Sequence, residues 1–589
     1  MAGKMKRSFV LVLALIFVVG SMSAVLSGCG AAQEEKGTAA TQPAGTAAES
    51  SQATEAQPTA AAEEVTVNPQ FTVWIGTDEK KSPEITEVQK LFKEKLGFDF
   101  KISSRQGDLM TALNLKLNSG SLEDMSIIYK DDVAVNAFIK SGQVQEVSQY
   151  FGMADKYPNL AKIPQKVIDF CKTTDGKSWY VPGWYAQELD DPWPGWVAES
   201  WWPREDLVQQ VGMTLDDLST IEGLEKYMKA VSQLKDGTGK AIIPLGFFIN
   251  EGNTLNDEEN IILSTFGVET ARGYSKMPGI KKDGSNYVFA YDDPNFKTAY
   301  AWINKMYRDG LIDVEVPTQK VERYKEKVNA GRYGMIAGTI WKAELNNSWA
   351  KLNDASSPVW YFKPIQNPAV SGVGAPGSFQ YVNPYPASAI FISKDSKVTD
   401  SVLKFLDWCQ EATPARQQEV NEGPVGVNWN WTGAPLGEWD FTKEYGTERN
   451  SGDQARVDKL TPQLWAISTY SKQWYPWWTN KIGDDQPVGM GFATKYTSEI
   501  SNTHNIVRTM HSYDAVAAPT GGVIEKYLPT LNAIYIEYRA RLIMAKSDAE
   551  FESTWNKFRD QLEKRAHWTD MMGEWNTEYE KYLKSNAEY

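Results

Sequence analysis

Between Phe71 and Tyr129 the apolar residues change period four times, and that order restricts the fold more than any other feature of this 589-residue chain. Phe71-Thr-Val-Trp-Ile75 is short and almost wholly apolar, as a strand buried on both faces is. Ser82-Pro83-Glu84 then offers a capping hydroxyl, a first-turn proline and an acid at the positive end of a helix dipole. Ile85, Val88, Leu91, Phe92 and Leu96 keep helical period up to Gly97, a residue suited to a left-handed helix end. Phe98, Phe100 and Ile102 alternate as a second strand. Leu109, Leu113 and Leu117 mark a second helix stopped at Gly120, and Met125 to Tyr129 reads as a third strand. A βαβαβ order predicts a parallel sheet with right-handed crossovers, at which ligands sit beyond the carboxyl ends of the strands. The loops after strands one and three, Gly76-Thr77-Asp78 and Lys130-Asp131-Asp132, are thus candidate ligand positions. Asp78, Asp131 and Asp132 are their acceptors.

Upstream of this unit the chain reads as targeting and spacing. Lys4, Lys6 and Arg7 form a basic head, and Ser8 to Gly20 is an apolar run too short to span a membrane. Leu26-Ser27-Gly28-Cys29 resembles the lipobox of bacterial lipoproteins, in which Cys29 becomes the acylated first residue; the alternative is an ordinary secretory signal. Two acyl chains anchor stably where one is marginal. Removing residues 1–28 leaves 561 residues and takes the formal charge from −14 to −17, which argues against a nucleic-acid partner. Residues 29–67, after the anchor, are Ala, Thr, Glu, Gln, Ser, Gly and Pro with almost no large apolar residue, so we expect a disordered linker. Cys171 and Cys409 could pair or remain two buried thiols, and the sequence leaves both open.

The most unusual composition lies further on. Trp179 to Trp202 holds six of the 22 tryptophans, with Asp190, Asp191 and Glu199, and Pro182, Pro192 and Pro194 break it. Neither helix nor regular strand tolerates that proline spacing, so ordered irregular chain is expected. An indole offers a flat apolar face and one N–H, and a carboxylate beside it accepts hydroxyl hydrogen bonds. That pairing suits a sugar ring. The competing reading is that such tryptophans plug a core, and it applies equally to Asn428-Trp429-Asn430-Trp431 and to Trp474-Tyr475-Pro476-Trp477-Trp478.

Catalytic signatures are missing from the sequence: there is no G-x-S-x-G, H-E-x-x-H, P-loop or G-x-G-x-x-G. The three histidines, His504, His511 and His567, lack zinc-pair spacing. Adjacent acids such as Asp131/Asp132, Asp190/Asp191 and Asp484/Asp485 would suit a glycosidase only if two of them flanked one bond, and adjacency says nothing about that.

Several stretches in order then carry a resemblance. Leu117-Asn118-Ser119-Gly120 with Glu123-Asp124, Phe138-Ile139-Lys140-Ser141-Gly142, and Tyr157-Pro158-Asn159-Leu160 are the first. Asp175-Gly176-Lys177-Ser178-Trp179-Tyr180-Val181-Pro182, Gly331-Arg332-Tyr333-Gly334-Met335 with Trp341, and Glu422-Gly423-Pro424-Val425-Gly426-Val427 follow. The chain resembles the extracellular solute-binding lipoproteins of bacterial ABC importers, of the carbohydrate type that includes maltodextrin-binding proteins, in its long lipoprotein branch.

The resemblance implies an α/β, two-lobed periplasmic-binding-protein-like fold with an interlobe ligand cleft and a helical C-terminal region. It implies lobe one over 68–183 and 384–430, lobe two over 184–383, and a helical lobe-two and hinge region over 431–589. It also implies a monomeric, non-enzymatic receptor, lipid-anchored through Cys29 on the outer face of the cell membrane, that hands an oligosaccharide to ABC permease subunits. Expected ligand contacts are Trp341 first, then Trp184, Tyr185, Trp193, Trp196, Asp131, Asp132, Asp191, Asp78, Trp429 and Trp477. No cofactor is expected. Where some relatives carry an acidic calcium loop, this chain has Lys235-Asp236-Gly237-Thr238-Gly239-Lys240, too poor in carboxylates for an ion that takes six to eight oxygens. An extracellular glycoside hydrolase and a same-fold receptor for a peptide or other solute are the rival readings.

Overall fold

The computed structural model describes residues 68–79, 87–173, 175–187, 199–249, 259–269, 277–339, 358–373, 386–431, 438–445, 464–470, 477–478, 481–482, 486–487, 516 and 518–585. By contact density the chain divides into Met1–Glu63 and Glu64–Tyr589, and everything that follows belongs to the second unit. The signal segment, Cys29, the linker and the Ser82–Glu84 helix start lie outside the described residues.

The βαβαβ unit forms as expected: β1 (Phe71–Glu79), α1 (Glu87–Leu96), β2 (Phe100–Arg105), α2 (Leu109–Ser119), β3 (Met125–Tyr129), then α3 (Asp132–Ser141). β1 pairs in parallel with β2 and β3. Alternation splits the strand residues between two cores: Phe71, Val73 and Ile75 face one, Trp74 the other. The helices end where the sequence stops them. Asp108 caps α2 through the Thr111 N–H, and Gly120 and Gly142 close α2 and α3 at φ 67 and 62°.

One expectation needs correcting at β1. Residues 76–78 are not a loop after the strand but part of it, since β1 runs on to Glu79, which sits opposite Arg105 after a register irregularity. Arg105 Nε donates to the Gly76 carbonyl at 2.9 Å and holds the extended end.

Two later strands complete lobe one. β4 (Val181–Gly183) is followed by the two-residue β5 (Tyr185–Ala186), and β11 (Ser388–Ile392) inserts antiparallel between β3 and β4, giving the order β2-β1-β3-β11-β4. The helix Thr399–Cys409 packs beneath, where Phe405 touches Phe71, Phe92, Phe98 and Phe100 at centroid distances of 5.1 to 6.4 Å. Lobe one also extends past the expected boundary at 431, for Leu464, Ala466 and Ile467 are buried in the same core.

Lobe two is built on β6 (Glu199–Pro203), β7 (Ile243–Gly246), the hairpin β8 (Ile280–Asp283) with β9 (Asn286–Phe289), and β10 (Tyr333–Thr339), in a sheet of order β6-β10-β7. Three C-terminal helices, Val523–Met544, Asp548–Ala566 and Trp568–Ser585, share its core through Tyr535, Phe558, Trp568 and Trp575. A buried polar knot fastens them. Glu259 accepts hydrogen bonds from the hydroxyls of Tyr300 and Tyr535, with Arg539 at 3.6 Å. The tail also touches lobe one, where Asn136 of α3 donates to the Ala518 carbonyl at 2.7 Å.

The cysteine question resolves into two free, buried thiols that lie in different cores, Cys171 on one face of the lobe-one sheet and Cys409 on the other. Burial pushes Cys171 up to about 12 and Cys409 upward as well. No described helix is long and apolar enough to cross a membrane.

Candidate functional site

Because β4 runs with β3 while β11 opposes both, the carboxyl ends of β1, β2, β3 and β4 share one edge with the amino end of β11. Ser388 stands between Tyr129 and Gly183 in register there, so three strands present their ends in one row. That edge is where ligands of open parallel sheets are held.

Three aromatic side chains, each partly exposed, gather at this edge. Trp465 lies 5.8 Å from Tyr129 and 5.3 Å from Trp184, the latter at 90°. An edge-to-face contact such as that between Trp465 and Trp184 fixes ring orientation. Sequence reading found Trp184 but missed Trp465 and Tyr129. Trp465 stands alone in sequence outside all three tryptophan clusters, and only the return of 464–470 to lobe one brings it here.

The acids after β3 are built into the helix that follows. Asp131 is the N-cap of α3, accepting the N–H groups of Val133 and Ala134 at 2.9 and 3.0 Å, and Asp132 opens the first turn. Both are buried, 6% and 5% exposed, so their charge meets the positive end of the α3 dipole rather than bulk water. Lys130 beside them places its ammonium 4.3 Å from the Phe170 ring centre.

Two expected contacts turn out to be core residues. Tyr185 is fully buried; its hydroxyl donates to Gln410 Oε1 at 2.6 Å, and burial pushes its pKa upward. Trp429 is also fully buried, its indole N–H donating to the Gly423 carbonyl at 2.7 Å and its ring packed against Trp431 and Trp439. Each side chain has spent its polar atom and its faces on internal partners. Inside the tryptophan-rich stretch the same holds for Trp201 and Trp202, buried in lobe two with N–H bonds to Thr265 and to the Gly338 carbonyl.

Other expected residues are placed less fully. Asp78 lies in β1 and Trp477 in a two-residue strand opposite Glu438, by backbone alone. Asp191, Trp193, Trp196 and Trp341 lie outside the described residues. β10 ends at Thr339, two residues before Trp341, and runs parallel to β7, so both carboxyl ends reach the same edge of lobe two.

Among the described residues the chain leaves lobe one after 187, is back in it by 386 and leaves it again after 470, and these ends are laced together beside the aromatic row. β5 pairs in parallel with Thr469–Tyr470. The Gln410 amide donates to the carbonyls of Pro182 and Ile467 at 3.2 and 2.8 Å, and Gln417 Oε1 accepts the Thr469 N–H at 2.7 Å. No room is left at Gly183, where an added Cβ would stand 2.1 Å from the Ala466 carbonyl oxygen.

The Lys235–Lys240 turn is where some relatives carry a calcium loop and where no ion is expected here. There Asp236 accepts from Thr238 N, Thr238 Oγ1 and Lys240 N at 2.9, 2.7 and 3.0 Å, and it is ion-paired with Arg332. The Thr238 hydroxyl bond is the largest of the influences that hold its carboxyl well below the usual range. A guanidinium thus already satisfies the one carboxylate. No group of three or more His, Cys, Asp or Glu poised for a metal occurs among the described residues. Melting curves in excess chelator and in millimolar calcium are therefore expected to coincide; a rise of several degrees with calcium would mean that ligands come from elsewhere.

No protein-family model and no curated protein matches the sequence. Solved structures do. An HMO-binding solute-binding protein associated with an ABC transporter, from Bifidobacterium longum infantis, superposes with a TM-score of 0.64 at 15% identity, covering 87% of this chain and 99% of its own. An EF-hand mutant of the ABC-transporter substrate-binding protein FusA from S. pneumoniae, in complex with fructo-nystose, gives 0.60 at 17% identity over 88% and 100%. The alginate-binding protein AlgQ2 without calcium ion gives 0.62 at 16% over 88% and 99%. The fold is that of the two-lobed solute-binding proteins. On this fold the row Tyr129–Trp465–Trp184 stands on the lobe-one sheet edge beside the crossings, and the ends of β7 and β10 form the corresponding edge of lobe two.

Proposed function

We propose that the chain is an extracytoplasmic, monomeric receptor, anchored by lipid on Cys29, that captures an oligosaccharide by lobe closure and passes it to ABC permease subunits. The reading is carried by the aromatic row at the sheet edge, with the buried acids of α3 beside it and the laced crossings next to it. Partly exposed indole faces beside oxygen acceptors match the alternating apolar and hydroxyl surfaces of a sugar ring. That the similar FusA structure is a complex with fructo-nystose and that AlgQ2 is an alginate-binding protein supports the ligand class. Closure buries the ligand, so affinity and conformation are linked and the receptor performs no bond chemistry.

Within this reading Trp341, Trp184, Trp193, Trp196 and Trp477 supply ring faces, joined by Tyr129 and Trp465, and Asp78, Asp131, Asp132 and Asp191 supply acceptors. Tyr185 and Trp429 support the site from the core. Intrinsic tryptophan fluorescence, screened with oligosaccharides of three or more units against short peptides, tests the ligand class. Saturable changes with sugars alone are expected, and a response to peptides alone would replace the sugar by a peptide. For the anchor, a Cys29→Ala protein is expected to lose its acyl label and leave the membrane fraction. Full retention after cleavage before residue 29 would contradict the lipid assignment.

A further inference from the structure

Trp184 has a left-handed backbone, φ 54°. Among the described residues only one other non-glycine shares that sign, His567, and it closes the helix Asp548–Ala566, where such a conformation is ordinary. Trp184 closes no helix. For a bulky side chain this region is sterically unfavourable and persists only when the surroundings hold it. They do so from both sides. The Trp184 N–H donates to the Ser468 carbonyl at 2.7 Å, and its carbonyl accepts the Ala387 N–H at 3.1 Å. Ser468 lies at the departure of one interlobe crossing and Ala387 at the arrival of another, while Trp184 itself begins the third. Both main-chain polar groups of one strained residue therefore tie together the described ends of three segments that lead between the lobes. Gly183 before it admits no side chain, since an added Cβ would stand 2.1 Å from the Ala466 carbonyl oxygen, and the Tyr185 hydroxyl after it donates to Gln410.

We infer that Trp184 is a positioning residue whose backbone preference sets the angle between the lobes, and whose ring couples that angle to the aromatic row. The ring's part rests on the proposed sugar site; the backbone's part does not. Hinge residues absorb a change in φ and ψ when lobes move. Where one arrangement holds Trp184 at positive φ and another releases it, the strain biases the two populations by about 5- to 150-fold. A ring that stands perpendicular to Trp465 at 5.3 Å turns with that backbone, so a ligand stacked on the row acts on the same equilibrium.

The test separates ring from backbone by using two substitutions that both delete the ring. Asn tolerates the left-handed region and a β-branched residue does not. Spin labels are placed on Glu94→Cys in lobe one and Glu222→Cys in lobe two, both exposed sites, with the native thiols buried. Interlobe distances are then measured without any sugar. Trp184→Asn is expected to enrich the arrangement described here, and Trp184→Val to deplete it, the ratio of populations differing at least fivefold between them. Identical distance distributions in the two variants would overturn the inference. Should Trp184→Val fail to fold, Trp184→Ala replaces it, because alanine also disfavours positive φ. No sugar is present, so this result stands or falls independently of the fluorescence screen.

Discussion

Asp313→Ala is expected to lower unfolding stability by about 3–5 kcal/mol, because it strands a buried ammonium. Asp313 is 2% exposed and its Oδ2 lies 2.5 Å from Lys327 Nζ, itself in a side chain only 6% exposed. The same oxygen accepts the Tyr333 hydroxyl at 2.6 Å, and Oδ1 takes the Glu315 N–H at 3.1 Å. Without the carboxylate, Lys327 keeps Gln319 at 3.1 Å and the half-exposed Glu315 at 3.2 Å, which places the loss toward the lower end of that range. Desolvated charge, not the lost attraction, dominates the cost. Adding Lys327→Met to Asp313→Ala should therefore recover part of the stability that the single change removes. Urea unfolding of the three proteins measures both effects. A single-variant loss under about 1 kcal/mol would mean that water reaches Lys327 and that the pair is not sealed.

Trp341→Ala is expected to weaken oligosaccharide binding roughly 5- to 150-fold, the equivalent of losing about 1–3 kcal/mol of aromatic contact. The ranking of Trp341 rests on the family resemblance, and the described chain leads toward it: β10 ends at Thr339, at the carboxyl edge of the lobe-two sheet. Trp184→Ala is a less clean probe of contact alone, since Trp184 also carries the strained backbone between the crossings. Calorimetric titration of wild type and Trp341→Ala, with melting curves to confirm folding, reads the difference. An unchanged dissociation constant would move Trp341 to packing.

What the sequence made legible were the parts whose signal is local. The βαβαβ order and the Gly120 stop are written within a few residues of where they act, whereas Asp131, read as a ligand acceptor, is the cap of α3. The insertion of β11 between β3 and β4 is different in kind, since its partners lie more than 200 residues away. Trp465 reaches the site only because Gln410 and Gln417 bind the 464–470 segment to the crossings, and an amide side chain announces no such role. Tyr185 and Trp429 show the opposite failure. Their composition suggested ligand contact, but a tyrosine or tryptophan whose polar atom meets a buried partner packs as well as any core residue. Asp236 has a partner of the same long-range kind: Arg332, far along the chain, pairs with the one carboxylate of its loop, and nothing in the local spacing announces it.

On the proposed function, this fold holds an oligosaccharide intact between its lobes. The most direct test is a calorimetric titration with each sugar that changes the tryptophan fluorescence, followed by recovery and chain-length analysis of the sugar. One saturating heat per protein, with the sugar returned at its original length and no new reducing ends, is the expected result. No heat with any oligosaccharide would contradict the claim of binding, and shortened sugar would contradict the claim that binding is all it does.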